Sequence, residues 1–139
     1  MGEFKNKLVA VMNEKKEQGG IMNALAHLCF GMGAGLEDKR MARLTNYRDA
    51  DGQDHKDVSE LPFIVLKANS NKIRELRKAA IENNIHYVDF THTMTVGTYV
   101  EQIEWSAQTK EEEMEYYGIV LIGDWEKVSS LTRKFSVWR

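Results

Sequence analysis

Short apolar runs alternate along this chain with longer segments whose apolar residues recur every three or four positions. Leu8 to Met12, bounded by Lys7 and Asn13, is the clearest run. An apolar side chain at every position leaves no face for water, so it reads as a strand buried on both sides. Phe63 to Ala68, His86 to Phe90, and Ile119 to Ile122 read as further strands, and Ser136 to Trp138 as a final edge strand. Between them, Ile21, Leu25, Leu28, Cys29 and Met32 fall at helical spacing after a polar loop from Glu14 to Gly20. Ile73, Leu76 and Ala80 do the same after a capping Asn69-Ser70-Asn71, in a helix running to about Asn84. Val100, Ile103 and Ala107 suggest a short helix, and Trp125, Val128, Leu131 and Phe135 another, capped by Asp124. The alternation predicts one α/β domain over residues 1–139 with a mainly parallel, helix-covered sheet.

Composition narrows the function classes. The 42% apolar and 29% charged fractions, with one proline, are those of an ordinary globular domain. Cys29 stands alone, which excludes an internal disulfide and a thiolate metal site and suits a reducing cytosol. The nearest base, His27, points to another helix face, so Cys29 reads as buried filler. Met1 to Lys7 has Asn6 where a myristoylation signal wants Ser or Thr, and lacks the apolar core of a secretory signal. No run approaches the roughly 18 apolar residues of a membrane span, and a cytoplasmic location is expected. The net charge of -2 gives no global attraction to nucleic acid. Lys72, Arg74, Arg77 and Lys78 form a local basic group, but they do not share one helix face and read as solvated.

Some motifs fail on inspection. Gly31, Gly33 and Gly35 lie at the end of a helix, where the helix is expected to fade, not between a strand and a helix start as a dinucleotide fingerprint requires. Asp49 to Gly52 marks a hairpin turn between Leu44–Arg48 and Gln53–Val58. Asp49, Asp51, Gln53, Asp57 and Glu60 have the offsets of a calcium loop, but Asp54 stands where its sharp turn needs glycine. His55 and His86 lack zinc-ligand spacing, so no metal or cofactor is expected. Lys110 to Glu115 reads as a solvated charged face.

The polar loop Thr91-His92-Thr93-Met94-Thr95 directly follows an apolar strand, where α/β proteins place their sites. Asp89, just before this loop, and Thr93 within it carry short oxygen-bearing side chains that could form a site or serve as a cap and turn. His92 could act as a titratable group or be a hydrogen-bonding loop residue, and His27 could approach the Asp89 loop or satisfy a polar contact on a packed helix, the structural role being favoured.

Three segments, Lys7 to Gly35, Phe63 to Thr93 and Gly118 to Trp138, resemble in order the peptidyl-tRNA hydrolase type II family. The first is similar to its opening strand, loop and helix with a helical histidine, here His27. The second resembles the segment that leads into an aspartate and a threonine four positions later, here Asp89 and Thr93. The chain looks closer still to an uncharacterised bacterial domain-of-unknown-function family regarded as sharing that fold. The resemblance implies an ester hydrolase acting on peptidyl-tRNA or a related substrate, with Asp89, Thr93, His92 and His27 as catalytic candidates. Gly19, Gly20, Asn23 and Thr91 are the candidate substrate contacts. For the fold it implies a three-layer α/β/α arrangement around a small mixed, mostly parallel sheet, and for partners tRNA or a small molecule, with a homodimer as a possible assembly. The departures are specific. Gln18-Gly19-Gly20 replaces a loop lysine, with Lys15 and Lys16 upstream. Ala24 stands for a helical glutamine, His92 for arginine and Met94 for glutamine. These losses weaken the carry-over of catalysis, and the alternative reading is a noncatalytic binding or regulatory module that receives a small metabolite, nucleotide or peptide on the same fold.

Overall fold

The apolar run at Leu8 to Met12 becomes the middle of β1 (Asn6–Asn13), and Val9, Ala10, Val11 and Met12 have no exposed surface. A computed structural model describes residues 4–139; Met1–Glu3, part of the amino-terminal stretch read for targeting signals, lie outside the described residues. After β1 come α1 (Gln18–Ala34), a 3-10 turn at Lys39–Ala42, β2 (Leu44–Arg48), β3 (Asp54–Ser59), β4 (Phe63–Ala68) and α2 (Ser70–Glu82). They are followed by β5 (His86–Thr91), α3 (Tyr99–Gln108), β6 (Tyr116–Asp124), α4 (Trp125–Thr132) and β7 (Ser136–Val137).

The main sheet has five strands in the order β5-β6-β1-β4-β7, and β2 and β3 pair separately as a hairpin. The sheet is mixed, as expected, but not mostly parallel: only β1 and β4 pair in parallel, while β1–β6, β5–β6 and β4–β7 are antiparallel. The cause is the segment after β5. Instead of crossing the sheet as a covering helix, residues 92–115 stay at the end where β5 finishes, so β6 starts there and runs back between β5 and β1.

Period-two alternation splits the core into two. Leu8, Ala10, Met12, Val120 and Ile122 pack against Ile21, Ala24, Leu28 and Met32 of α1. Val9, Val11, Ile119 and Leu121 pack on the opposite face against Ile73, Leu76 and Ala80 of α2 and Val128 of α4. The layers are therefore α1, sheet, and α2 with α4.

Local differences from expectation have local causes. Gly19 and Gly20 lie in the first turn of α1, not in a loop, and the helix passes through Gly31 and Gly33 because Leu28 and Met32 anchor its inner face. The Asp49 carboxylate accepts the N–H groups of Asp51 and Gln53 at 2.9 and 3.0 Å and meets His55 Nε2 at 2.9 Å. Gly52 has φ +83°, so the Asp49 to Gly52 segment is a built hairpin turn. Although α3 forms where expected, none of its residues is buried, and Val100 and Ile103 face solvent.

Candidate functional site

Because β6 is antiparallel to both β1 and β5, strands β1, β4 and β5 all end at one rim of the sheet. Crevices outside the carboxyl ends of strands are the usual ligand positions in open α/β sheets. Asn13 ends β1 with only 2% of its surface exposed. Its side-chain amide donates to the Tyr116 carbonyl at 2.8 Å, and its Oδ1 accepts the Lys15 N–H at 2.9 Å. Ser70 Oγ accepts the Tyr116 N–H at 2.8 Å, and Asn69 caps α2 by accepting the Lys72 N–H at 2.9 Å. The loop after β1, the start of α2 and the start of β6 are thereby stitched together. They enclose an open polar cleft of about 510 Å³, lined among others by Asn13, Lys15, Lys16, Ser70, Arg74 and Glu115.

The charges around the cleft are unequal in availability. Lys16 Nζ lies 2.6 Å from Glu115 Oε1 and over the Tyr117 ring. Their hydrogen bond raises the Lys16 ammonium and lowers the Glu115 carboxyl from their ordinary ranges. Arg74 is occupied: its Nε donates to Glu111 Oε2 at 3.1 Å, and Nη1 donates to Asn71 Oδ1 at 2.6 Å. Glu111 also accepts the Tyr116 hydroxyl at 2.7 Å, which holds its own carboxyl down, while burial pushes the Tyr116 phenol up. Lys15 forms none of the ion pairs among the described residues and is the free cation of the cleft. The Glu111–Glu113 segment is thus a bracing turn, not only a solvated face.

His92 stands beside this cleft. Its backbone N–H donates to the Glu115 carbonyl at 2.9 Å, and the Glu115 N–H donates to its Nδ1 at 3.0 Å. The Trp105 ring meets it edge-on at 5.0 Å. With Nδ1 accepting the Glu115 N–H, Nε2 is the ring nitrogen left to donate, so His92 offers a hydrogen-bond donor. Thr93 is fully buried; its hydroxyl lies 2.8 Å from Thr91 Oγ1 and 2.6 Å from Ser106 Oγ, tying α3 to the end of β5.

Asp89 and His27 occupy opposite faces of the sheet. The Asp89 carboxylate faces α2, where Arg77 Nε donates to Oδ2 at 3.0 Å. Burial raises its carboxyl above the usual carboxylate range, and the guanidinium offsets only part of that. His27 lies on the α1 side, stacked on Phe90 with ring centroids 5.6 Å apart. A shallow hollow of about 280 Å³ beside β5 joins His27, Met94 and Gln102, and Asp89 borders it while its carboxylate stays with Arg77. Gly19 and Asn23 are exposed on α1, Gly20 faces Tyr117, and Thr91 is buried. The expected site residues therefore gather in part: Thr91, His92 and Thr93 share the rim, while the acid and His27 are divided by the sheet.

Sequence reasoning missed Asn13, Ser70 and Glu115 and set Lys16 aside. The signal for the first two was position, since each directly ends or follows a strand read correctly. Among the described residues, no group of three or more His, Cys, Asp or Glu side chains could hold a metal ion. None of the helices among them is long and apolar enough to cross a membrane. Arg74 and Arg77, half of the basic group on α2, turn inward to Glu111 and Asp89. A second cavity, apolar and of about 210 Å³, lies on the α1 face between Cys29, Met32, Leu36, Leu44, Leu61 and Phe63. Cys29 is half-buried and desolvation pushes its thiol up, as suits a packing residue.

The fold is similar to that of a solved structure, the protein of unknown function Atu0240 from Agrobacterium tumefaciens strain C58. The TM-score is 0.84 over 98% of this chain and 99% of that one, at 17% identity. That likeness concerns the mixed α/β fold alone. No curated protein matches the chain. The family model described as "Protein of unknown function (DUF2000)" matches residues 6–139, nearly the whole length, and the chain belongs to that family.

Proposed function

We propose that this chain is a small-ligand-binding module whose rim cleft receives a ligand bearing a carboxylate or phosphate, and that it does not hydrolyse peptidyl-tRNA. The observation that carries this reading is the engagement of the groups hydrolysis would need. Cleaving an ester requires a carboxylate or imidazole free to take a proton from water, beside donors for the developing oxyanion. Asp89 is held by Arg77, the Thr93 hydroxyl is consumed by Thr91 and Ser106, and His92 presents a donor. The cleft instead offers the unpaired Lys15 ammonium and the first turn of α2, whose free N–H groups carry partial positive charge, facing the Glu112 and Glu113 carboxylates that also line it. His92, hydrogen-bonded to Glu115 of the cleft wall, adds a donor beside it.

The test is a thermal-shift and titration series with small carboxylates, nucleoside monophosphates and inorganic phosphate. A ligand at 100 times its Kd stabilises by about 2.7 kcal/mol. Stabilisation by at least one member is expected, weakened by salt and lost in Lys15→Glu. No stabilisation by any anion contradicts the binding reading. Cleavage of purified peptidyl-tRNA by the unmodified chain, abolished in a folded Asp89→Asn variant, would restore the hydrolase reading.

A further inference from the structure

The apolar cavity on the α1 face lies where β1 and β4 begin, at the opposite end of the sheet from the rim cleft. Leu8 and Ile122 of the sheet form its floor, Cys29 and Met32 of α1 one wall, and Leu44 and Leu61 the other. It reaches the surface beside Leu44 and Phe63, which are 60% and 40% exposed. Its volume is about 210 Å³. Voids in protein interiors are normally few and scarcely larger than a water molecule, and an engineered apolar cavity of about 150 Å³ suffices to take up benzene. A native chain that keeps a larger one open holds room for a ligand.

The chemistry of the walls says which ligand. An ordered water needs about two to four polar partners, and the cavity supplies almost none. Ser59 is the one hydroxyl on its walls, and that oxygen already accepts the Leu61 N–H at 3.1 Å. No charged side chain among the described residues lines it. Desolvation, which pushes the Cys29 thiol up, keeps that group uncharged as well. The hairpin side is the wall least fixed by the fold. Strands β2 and β3 pair only with each other, and nearly all their residues are exposed. A two-stranded hairpin is marginal by itself in water, so it depends on the few groups it sets against the body, and Leu44 and Ser59 do so at this cavity.

We propose that this cavity is a second binding site, separate from the rim cleft, for the alkyl chain of a small amphiphile whose polar end stays at the surface beside Leu44 and Phe63. At the density of protein interiors about eight carbon atoms fill the volume. Nothing inside pairs with a charged or hydrogen-bonding group, so the cavity selects by chain length. A filled cavity also gives the base of the hairpin an apolar partner, so the ligand orders β2 and β3.

Calorimetric titration of the full chain with 1-alkanols from butanol to decanol should show binding that tightens about fourfold with each added carbon and levels off near octanol. Octanoate presents the same chain under a charged head; whichever of the two binds more tightly identifies the head group, and binding of neither overturns the proposal. The chain's one cysteine locates the ligand: when octanol half-fills the site, alkylation of Cys29 by N-ethylmaleimide should slow by about half. Amide exchange across β2 and β3 should slow with it. Ala42 lines the cavity, and Ala42→Leu takes the room of about three carbons, so octanol should bind about 50-fold more weakly with unchanged circular dichroism. Gly33→Leu is a second filling variant, on a different element, where a Cβ meets nothing within 4 Å. Affinity that rises through decanol without levelling, Cys29 alkylation indifferent to bound octanol, or undiminished binding in both filled variants overturns the proposal.

Discussion

The two faces of the sheet are finished differently. On the α2 side, two helices close over Val9, Val11, Ile119 and Leu121, and the polar groups among them are paired within the chain: Asp89 with Arg77, and Tyr116 with Glu111. On the α1 side a single uncharged helix covers Ala10, Met12 and Val120, an apolar cavity of about 210 Å³ lies at one flank, and the outer surface bears Met22 and Phe30. One face is closed by two helices with its polar groups paired, and the other presents apolar side chains at its outer surface. The difference supports a structural role for Asp89, because its carboxylate is held on the α2 face by Arg77 while His27 stacks on Phe90 on the α1 side.

The largest effect should come from the finished face. Ile73 has no exposed surface, so Ile73→Ala removes apolar burial and leaves a cavity, and a loss of about 3 kcal/mol in unfolding free energy by denaturant titration is expected. Phe30→Ser should change stability by less than about 0.5 kcal/mol despite the larger side chain, because that side chain is exposed. Comparable losses from the two substitutions would erase the contrast between the faces.

Arg77→Met should cost about 2 kcal/mol, because it strands a carboxylate whose side chain is only 16% exposed. The cost is below that of a fully buried pair because water still reaches part of both groups. Thr93→Val should cost about 1 kcal/mol by leaving the Thr91 and Ser106 hydroxyls without their shared partner, with faster amide exchange in α3 as the local sign. The smallest effect is on pH dependence. Since the Asp89 carboxyl is raised in the folded state, the folded chain holds its proton more tightly than the unfolded chain does. Its contribution to stability is fully present below the ordinary aspartate pKa and is lost as pH rises through the raised value. Stability against pH should therefore lose this downward component in Asp89→Asn, and show more of it in Arg77→Met, where the guanidinium no longer opposes the shift.

Much of the fold was legible because it is local. The run at Leu8 to Met12 and the spacing of Ile73, Leu76 and Ala80 carry their own periodicity, and both formed the elements expected. Strand direction was not legible. Whether residues 92–115 would cross the sheet depends on the packing of α3, whose Val100 and Ile103 have the spacing of a buried stripe but face solvent. The start of α1 was obscured because Glu17 makes no side-chain cap and two glycines follow. Around the site, the rim after β5 could be read from strand-end logic, but the division of its residues could not be read from spacing alone. Two signals pointed to it. Phe90 follows Asp89 directly, so in a strand the two side chains face opposite ways. Arg77 lies four residues after Ile73 and beside Leu76, at the flank of the inner face of α2. Which helix covers which face was the missing piece, because it is set by tertiary packing.

The division of Asp89 from His27 is tested most directly by paired double-mutant cycles on unfolding free energy. Asp89→Asn would be combined once with Arg77→Met and once with His27→Ala. A coupling of about 1–2 kcal/mol between positions 89 and 77, and less than about 0.5 kcal/mol between 89 and 27, is expected. Strong coupling of Asp89 to His27 with none to Arg77 would contradict it, and would put the acid and the imidazole in one site.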